Sequence, residues 1–223
     1  MVANPKQDPQ QDRLPMYMTV EEYLGYDRAS DEKHEYYDGE VVAMAGGKIA
    51  HNSLAGAMYF QLREQLGHRS PCRVYNSDTR VQIAKKSYVY PDVVVSCDIS
   101  DHQDDNDILC SPRLVVEVLS PSTEKKDRGK KLDLYRAHPC VHEYVLVNTR
   151  FQLVEVYRRA ENGSWTYHTY GEGSTRELAS LDLYVAVDAL YEGLRIPPVL
   201  DDEGLALPDI PADERQEGVQ SDY

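Results

Sequence analysis

The chain has 223 residues, 41% of them hydrophobic, with 24 Lys and Arg against 38 Asp and Glu, giving a formal net charge of −14. That length suits one domain with a substantial core. No apolar run approaches the ~20 residues of a membrane span, and the polar start "MVANPKQDPQQDRLP" carries no hydrophobic segment of the secretory kind, so a cytoplasmic protein without a membrane partner is expected. The negative charge argues against a nucleic-acid partner only until its distribution is read. Residues 196–223 carry eight acids and one base and residues 98–107 five acids and no base; subtracting both from −14 leaves −2, while residues 123–136 hold six bases and three acids.

Cysteines stand at 72, 97, 110 and 140, without Cys-x-x-Cys and without histidines at zinc-finger spacing, so a zinc knot is not expected. With no export signal, buried thiols are expected rather than disulfides.

In chain order, residues 1–15, rich in Gln, Pro and Asp, read as a disordered arm. "MTVEEYLGYD" predicts a short helix with Thr19 as N-cap and Glu22 completing a capping box. In "HEYYDGEVVAMAG", Asp38-Gly39 separates two strand-like pieces and predicts a tight hairpin. "KIAHNSLAGAMYFQLREQLG" places Leu54, Met58, Leu62 and Leu66 at i+4 spacing, an amphipathic helix with Gly67 as its C-cap. Strands are expected in "CRVYNSDTRVQIA", "YVYPDVVVS" and "RLVVEVLS", the last two separated by an acidic loop over residues 97–112. After "SPST" a basic helix runs to about His138. "HEYVLVN" and "FQLVEVYRR" form a hairpin, "SWTYHTYGEG" continues the sheet, and "LDLYVAVDALYEGL" starts as a strand and closes as a helix. The order predicts one mixed α/β domain over residues 16–195, with an acidic disordered tail at 196–223.

Two carboxylates break otherwise apolar strands. Alternation in "LVVEVL" puts Leu114, Val116 and Val118 on one face and Val115, Glu117 and Leu119 on the other, so both faces are apolar except at Glu117. A lone buried carboxylate costs several kcal/mol, of order, or takes up a proton. Asp92 in "YPDVVV" has the same difficulty, and neighbouring strands would sharpen it. Either a hard divalent cation between the two acids or a basic side chain for each resolves it. Asp127, Lys131 and Tyr135 share one face of the following helix, so Lys131 could reach the Glu117 end, with Lys130 as the rival. Gly129 either permits a close backbone approach or marks where that helix begins, with Asp127 as its cap.

The ordered set "EYYDGEVVAMAG", "HN", "SDTRVQI", "YPDVVV", "LVVEVLSPST", "DRGKKLDLYR" and "EYVLV" resembles the Uma2 family of restriction-endonuclease-like proteins, a bacterial branch of the PD-(D/E)XK nucleases. The likeness runs from about residue 18 to 194. It implies an αβββαβ restriction-endonuclease-like core, an α+β fold with an N-terminal β-hairpin. It also implies Mg²⁺-dependent hydrolysis of DNA phosphodiester bonds, Mn²⁺ serving as a substitute. Asp92 and Glu117, with the carbonyl of Val118, would hold the metal, and Lys131 would complete the catalytic set. Leu119 stands where the superfamily has the lysine of Glu-x-Lys; in the Uma-type pattern the lysine lies on the following helix, and an acid usually precedes it where this chain has Lys130. His51, Asp78 and, just after the hairpin turn, Glu40 are accessory candidates, with a core histidine as the other reading of His51 and a turn residue as that of Asp78. Related nucleases imply a homodimer on DNA. The alternatives are a non-catalytic module with the nuclease fold and a nuclease acting on RNA.

Overall fold

Two short interruptions of strand sequence, at residues 77–79 and 90–92, decide the layout, because each passes the chain from one sheet to another. The computed structural model describes residues 16–199, so the expected arm at 1–15 and the tail from 200 onward lie outside the described residues. The elements are β1 (Met16–Tyr17), α1 (Val20–Ala29), β2 (His34–Tyr37), β3 (Glu40–Ala43), α2 (Ile49–Leu66), β4 (Arg73–Asn76), β5 (Arg80–Ala84), β6 (Ser87–Val89) and β7 (Val93–Ser96). They continue with β8 (Ile108–Leu109), β9 (Pro112–Leu119), α3 (Glu124–Lys126), a π-helical turn (Asp127–Lys131), α4 (Leu132–Ala137) and β10 (Glu143–Asn148). The last are β11 (Val154–Arg159), β12 (Trp165–Tyr170), β13 (Thr175–Leu178), β14 (Leu183–Ala186) and α5 (Val187–Tyr191).

The central sheet has the order β12-β11-β10-β9-β7-β4, with β9 and β10 parallel and its other pairs antiparallel. Within it, α2, β4, β7, β9, the α3–α4 helix and β10 follow one another as the expected αβββαβ core. Beside it, among the described residues, stand a second six-stranded sheet and the two-stranded β13-β14. The second six-stranded sheet has the order β1-β3-β2-β6-β5-β8; after β1–β3 the chain re-enters it at the Asn76 turn, leaves it again at Tyr90, Pro91 and Asp92, and returns once more for β8. Pro91 has no N–H to give to a ladder, so it suits the point where one sheet ends and the next begins.

Alternation along β9 builds the two cores. Leu114, Val116 and Val118 pack with Val93, Val95, Val145 and Val147 under Leu54, Met58 and Leu62 of α2. Val115 and Leu119 pack on the other side with Val94, Leu146, Leu132 and Tyr135, closed by Val81, Ile83 and Val89 of the second sheet. Each such side chain contributes on the order of 1.5–3 kcal/mol when fully buried. Local signals agree with the elements they predicted. Thr19 and Glu22 form the capping box of α1, and Asp38 and Gly39 take positive φ of 48° and 106° in the β2–β3 turn, the requirement of a two-residue hairpin. Ile196 is buried against the α2-side core and Gln152 N–H donates to the carbonyl of Pro197 at 2.8 Å, so packed structure continues across the expected tail boundary.

The cysteine expectation is corrected. Cys72 and Cys97 form a disulfide, Cys110 is an exposed thiol and Cys140 is half-buried. The reason is register: antiparallel β4 and β7 pair Arg73 with Ser96, so the next residues outward face each other. The bond closes a sequence separation of 25, worth about 3 kcal/mol by chain-entropy reasoning. Urea unfolding with and without reductant is expected to show a loss of that size for the wild type and none for Cys72→Ser.

Candidate active site

Glu117 lies in the middle of β9, where strands on both sides and cores on both faces leave it 4% exposed. One oxygen, Oε1, receives both Lys131 Nζ at 2.8 Å and the hydroxyl of Tyr135 at 2.9 Å. Lys131 comes from the π-helical turn, a distortion found mostly as single turns at functional sites. Asp127, Lys131 and Tyr135 are all buried, whereas Lys130 turns outward over the Tyr37 ring at 4.2 Å and 3.9 Å from Glu40. Of the two lysines it is Lys131 whose ammonium meets Glu117. The expectation for Gly129 is corrected: a Cβ there would meet nothing within 4 Å, and Asp127 is no cap, because the helix has already begun at Glu124.

Asp92 sits just before β7, which runs antiparallel to β9 with Val93 opposite Val116. Its Oδ2 accepts the N–H of Val118 at 2.7 Å and lies 3.2 Å from Nε2 of His51 on α2. The neighbouring-strand condition is therefore met, and Asp92 adjoins the backbone of the residue whose carbonyl the sequence offered as a ligand. Close approach of Gly47 shapes the histidine's surroundings, since a Cβ there would lie 2.7 Å from Nδ1 of His51.

One residue of this group escaped sequence reasoning. Glu35 on β2 of the second sheet is 2% exposed. Its Oε1 stands 2.8 Å from Lys131 Nζ, while Oε2 accepts Lys126 Nζ at 3.0 Å and the hydroxyl of Tyr37 at 2.9 Å. Three carboxylates, Glu35, Glu117 and Asp127, thereby stand within 4 Å of Lys131 Nζ, with Asp92 joined to the group beside Glu117 through the Val118 N–H, and Lys126 and His51 at the margin. Asp78 stands apart in its contacts, exposed and paired with Lys33 at 2.9 Å beside a cavity of about 340 Å³, and the Glu40 carboxylate lies 3.9 Å from Lys130.

The charges settle unevenly. Burial disfavours ionised Glu35, yet Lys131 and Lys126 outweigh it and bring its pKa down to about 2. Burial likewise opposes the Lys131 ammonium, but Glu117, Glu35 and Asp127 hold it protonated well above the ordinary lysine range. Glu117 goes the other way. Its burial dominates, the nearby Asp127, Asp92 and Glu35 add to it, and the shared Lys131 only partly compensates, so its carboxyl is raised well above the usual range. Asp127 is raised by burial for the same reason. Burial opposes the His51 imidazolium, but the hydrogen bond and charge of Asp92 raise its pKa overall.

This is a cluster short of positive charge. Asp127 Oδ1 is buried without a hydrogen-bond partner among the described residues, and Glu35 Oε1 faces its lysine without hydrogen-bond alignment. Oxygen donors in such a setting fit a hard cation. Among the described residues no three His, Cys, Asp or Glu side chains are grouped to ligate one ion. An ion beside Asp92 and Glu117 would therefore complete its shell with peptide, water or phosphate oxygens, the usual magnesium arrangement.

Comparison with known proteins agrees with the resemblance. Residues 20–188 match the Uma2 family, described as "Putative restriction endonuclease". Two uncharacterized proteins of Synechocystis sp. are similar: slr1290, 38% identical over 79% of this chain and 93% of its own, and sll1609, 33% identical over 66% and 84%. A crystal structure titled as a "putative nuclease belonging to DUF820" from Anabaena variabilis superimposes with a TM-score of 0.65 at 17% identity, covering 78% of this chain and 97% of that one. The mixed α+β architecture is thus a nuclease-like fold.

Truncating Lys131 strands buried carboxylates, so Lys131→Ala is expected to cost about 3–5 kcal/mol, against about 0.5 or less for exposed Lys130→Ala, both read by urea denaturation. A depressed carboxyl contributes stability that is present above its unfolded pKa and lost as pH falls through its folded pKa. The stability difference between wild type and Glu35→Gln should therefore be full at pH 7 and shrink between pH 4.5 and about 2.

Proposed function

The chain belongs to the Uma2 family, and on that premise we propose that it is a Mg²⁺-dependent endonuclease that hydrolyses DNA phosphodiester bonds at the Asp92–Glu117–Lys131 cluster. The observation that carries this reading is the grouping of buried acids in a nuclease-like core: Glu35, Glu117 and Asp127 converge on the Lys131 ammonium, and Asp92 is bonded to the Val118 N–H one residue beyond Glu117. A purely structural ion pair needs one acid per base, and replacing the whole set by apolar residues would serve stability as well.

Asp92 and Glu117, with the carbonyl of Val118, would hold Mg²⁺ or, in its place, Mn²⁺. The bound ion would supply polarisation of a phosphoryl oxygen and an acidified water. Asp92 is fixed for this by the Val118 N–H, which leaves its second oxygen free of that bond. Glu117 offers Oε2, since Lys131 and Tyr135 both converge on Oε1. The Lys131 ammonium would orient the attacking water or stabilise negative charge building on phosphorus. His51, hydrogen-bonded to Asp92, holds that carboxylate from the α2 side.

DNA reaches the site against a net charge of −14, but that charge is concentrated in two segments, and residues 123–136 around Lys131 are locally basic. No helix among the described residues is long and apolar enough to cross a membrane; action in the cytoplasm, and as a homodimer that cuts both strands, belongs to the same proposal.

The test incubates purified protein with supercoiled plasmid, single-stranded DNA and RNA at low salt, where phosphate contacts are strongest, with Mg²⁺, Mn²⁺ or chelator. Metal-dependent cutting of DNA is expected, abolished in Asp92→Ala and Glu117→Gln together with metal binding. Lys131→Ala should keep the metal and lose about 10²–10³-fold in rate. An Asp92→Ala variant that cuts at the wild-type rate would falsify the assignment.

A further inference from the structure

Glu35 is a buried, ionised side chain that the proposed chemistry does not use, and its position gives it a task. It reaches Lys131 from β2 of the second sheet, while Glu117 reaches the same ammonium from β9 of the central sheet. The two Nζ–Oε1 distances are equal, at 2.8 Å, with Asp127 farther off at 3.6 Å. Glu35 is itself held in place, its other oxygen taking Lys126 Nζ and the Tyr37 hydroxyl.

We propose that Glu35 is a positioning residue that competes with Glu117 for Lys131, and so keeps the Glu117 carboxylate available to a divalent cation while retaining the lysine in the site. The proposal rests on the metal reading given above. Without Glu35, the Lys131 ammonium is left with Glu117 as its one carboxylate partner within 3 Å, and the strand acid is neutralised by an internal cation. With Glu35, Lys131 can turn toward the second sheet and release Glu117 to the cation without itself losing a carboxylate partner, and stripping a buried charge of its partners is what costs most. The arrangement also separates two demands on one side chain. Lys131 must stay near the phosphate to act there, yet must not occupy the acid that would bind the ion.

The experiment measures Mn²⁺ affinity by calorimetry in the absence of nucleic acid, for wild type, Glu35→Gln, Lys131→Met and the double variant. Partners that orient metal ligands typically change affinity about 10–100-fold when replaced, so Glu35→Gln is expected to weaken binding by about tenfold. In the Lys131→Met background the same substitution should change affinity less than about twofold, because the competition has been removed. Glu35→Asp serves as the second probe and as insurance against a misfolded amide variant. It keeps the charge but shortens the reach to Lys131, and should weaken Mn²⁺ binding in the wild-type background only. Equal losses in both backgrounds would mean that Glu35 acts on the ion directly, and no loss in either would mean that it has no bearing on the ion; both overturn the proposal. A wild type that binds no Mn²⁺ overturns the metal reading itself, and this inference with it.

Discussion

The Lys131 ammonium is what lets carboxylates from two different sheets lie buried side by side. Glu117 belongs to the central sheet, Glu35 to the second sheet, and Lys131 to the helix between β9 and β10. Desolvating any one of these charges alone costs several kcal/mol, and only mutual contact offsets it. The consequence is architectural as well as chemical. The second sheet is closed over the central one by apolar contacts through Val81, Ile83 and Val89, but the polar link through Lys131 fixes its position at the level of the site. Fold and candidate chemistry therefore share one set of contacts.

A second buried network sets the two ends of that arrangement. Asp27 on α1 receives the His34 backbone N–H at 2.8 Å, the Arg80 guanidinium at 2.6 Å and the Tyr90 hydroxyl. His34 immediately precedes Glu35, and Tyr90 lies two residues before Asp92. One carboxylate thus anchors both the strand that delivers Glu35 and the passage that delivers Asp92. Arg80 adds rigidity through its fork, with Nε also near Asp27 and Nη1 on Asp107. Supporting shells of this kind decide whether a site is held to within the fraction of an ångström that chemistry needs.

Much of the site was legible because it depends on local periodicity. The two-residue alternation of β9 put Glu117 alone among apolar neighbours, and the four-residue spacing of Asp127, Lys131 and Tyr135 put Lys131 on the same inner face. Both patterns are properties of one element. Glu35 lacked such a signal, since all four residues of "HEYY" are buried and no alternation distinguishes one from another. Its importance comes from the folding of one sheet over another, which no short window of sequence contains. The same holds for the Cys72–Cys97 bond, which follows from β4 pairing with β7 across an intervening pair of strands. It also holds for the split into two sheets: the Asn-Ser-Asp turn and the Tyr-Pro-Asp bend read locally as ordinary breaks, and only pairing reveals that the strands between them belong elsewhere.

The displaced lysine follows from the packing of β9. Position 119, where a Glu-x-Lys pattern would put the ammonium, is held by Leu119 at 2% exposure among Val94, Tyr135 and Leu146. A lysine at that point would have to bring its charge through a core with no second carboxylate of its own. Delivery from the helix avoids this, because Lys131 approaches Glu117 from the side on which Glu35 and Asp127 already lie. The requirement falls on the helix instead. Residues 127 and 131 both point inward while Lys130 stays in water, and the turn that carries them is a π-helical segment between α3 and α4. Gly129 within that turn faces open space, while its buried side carries Asp127 and Lys131 to the ion group with Glu35 and Glu117.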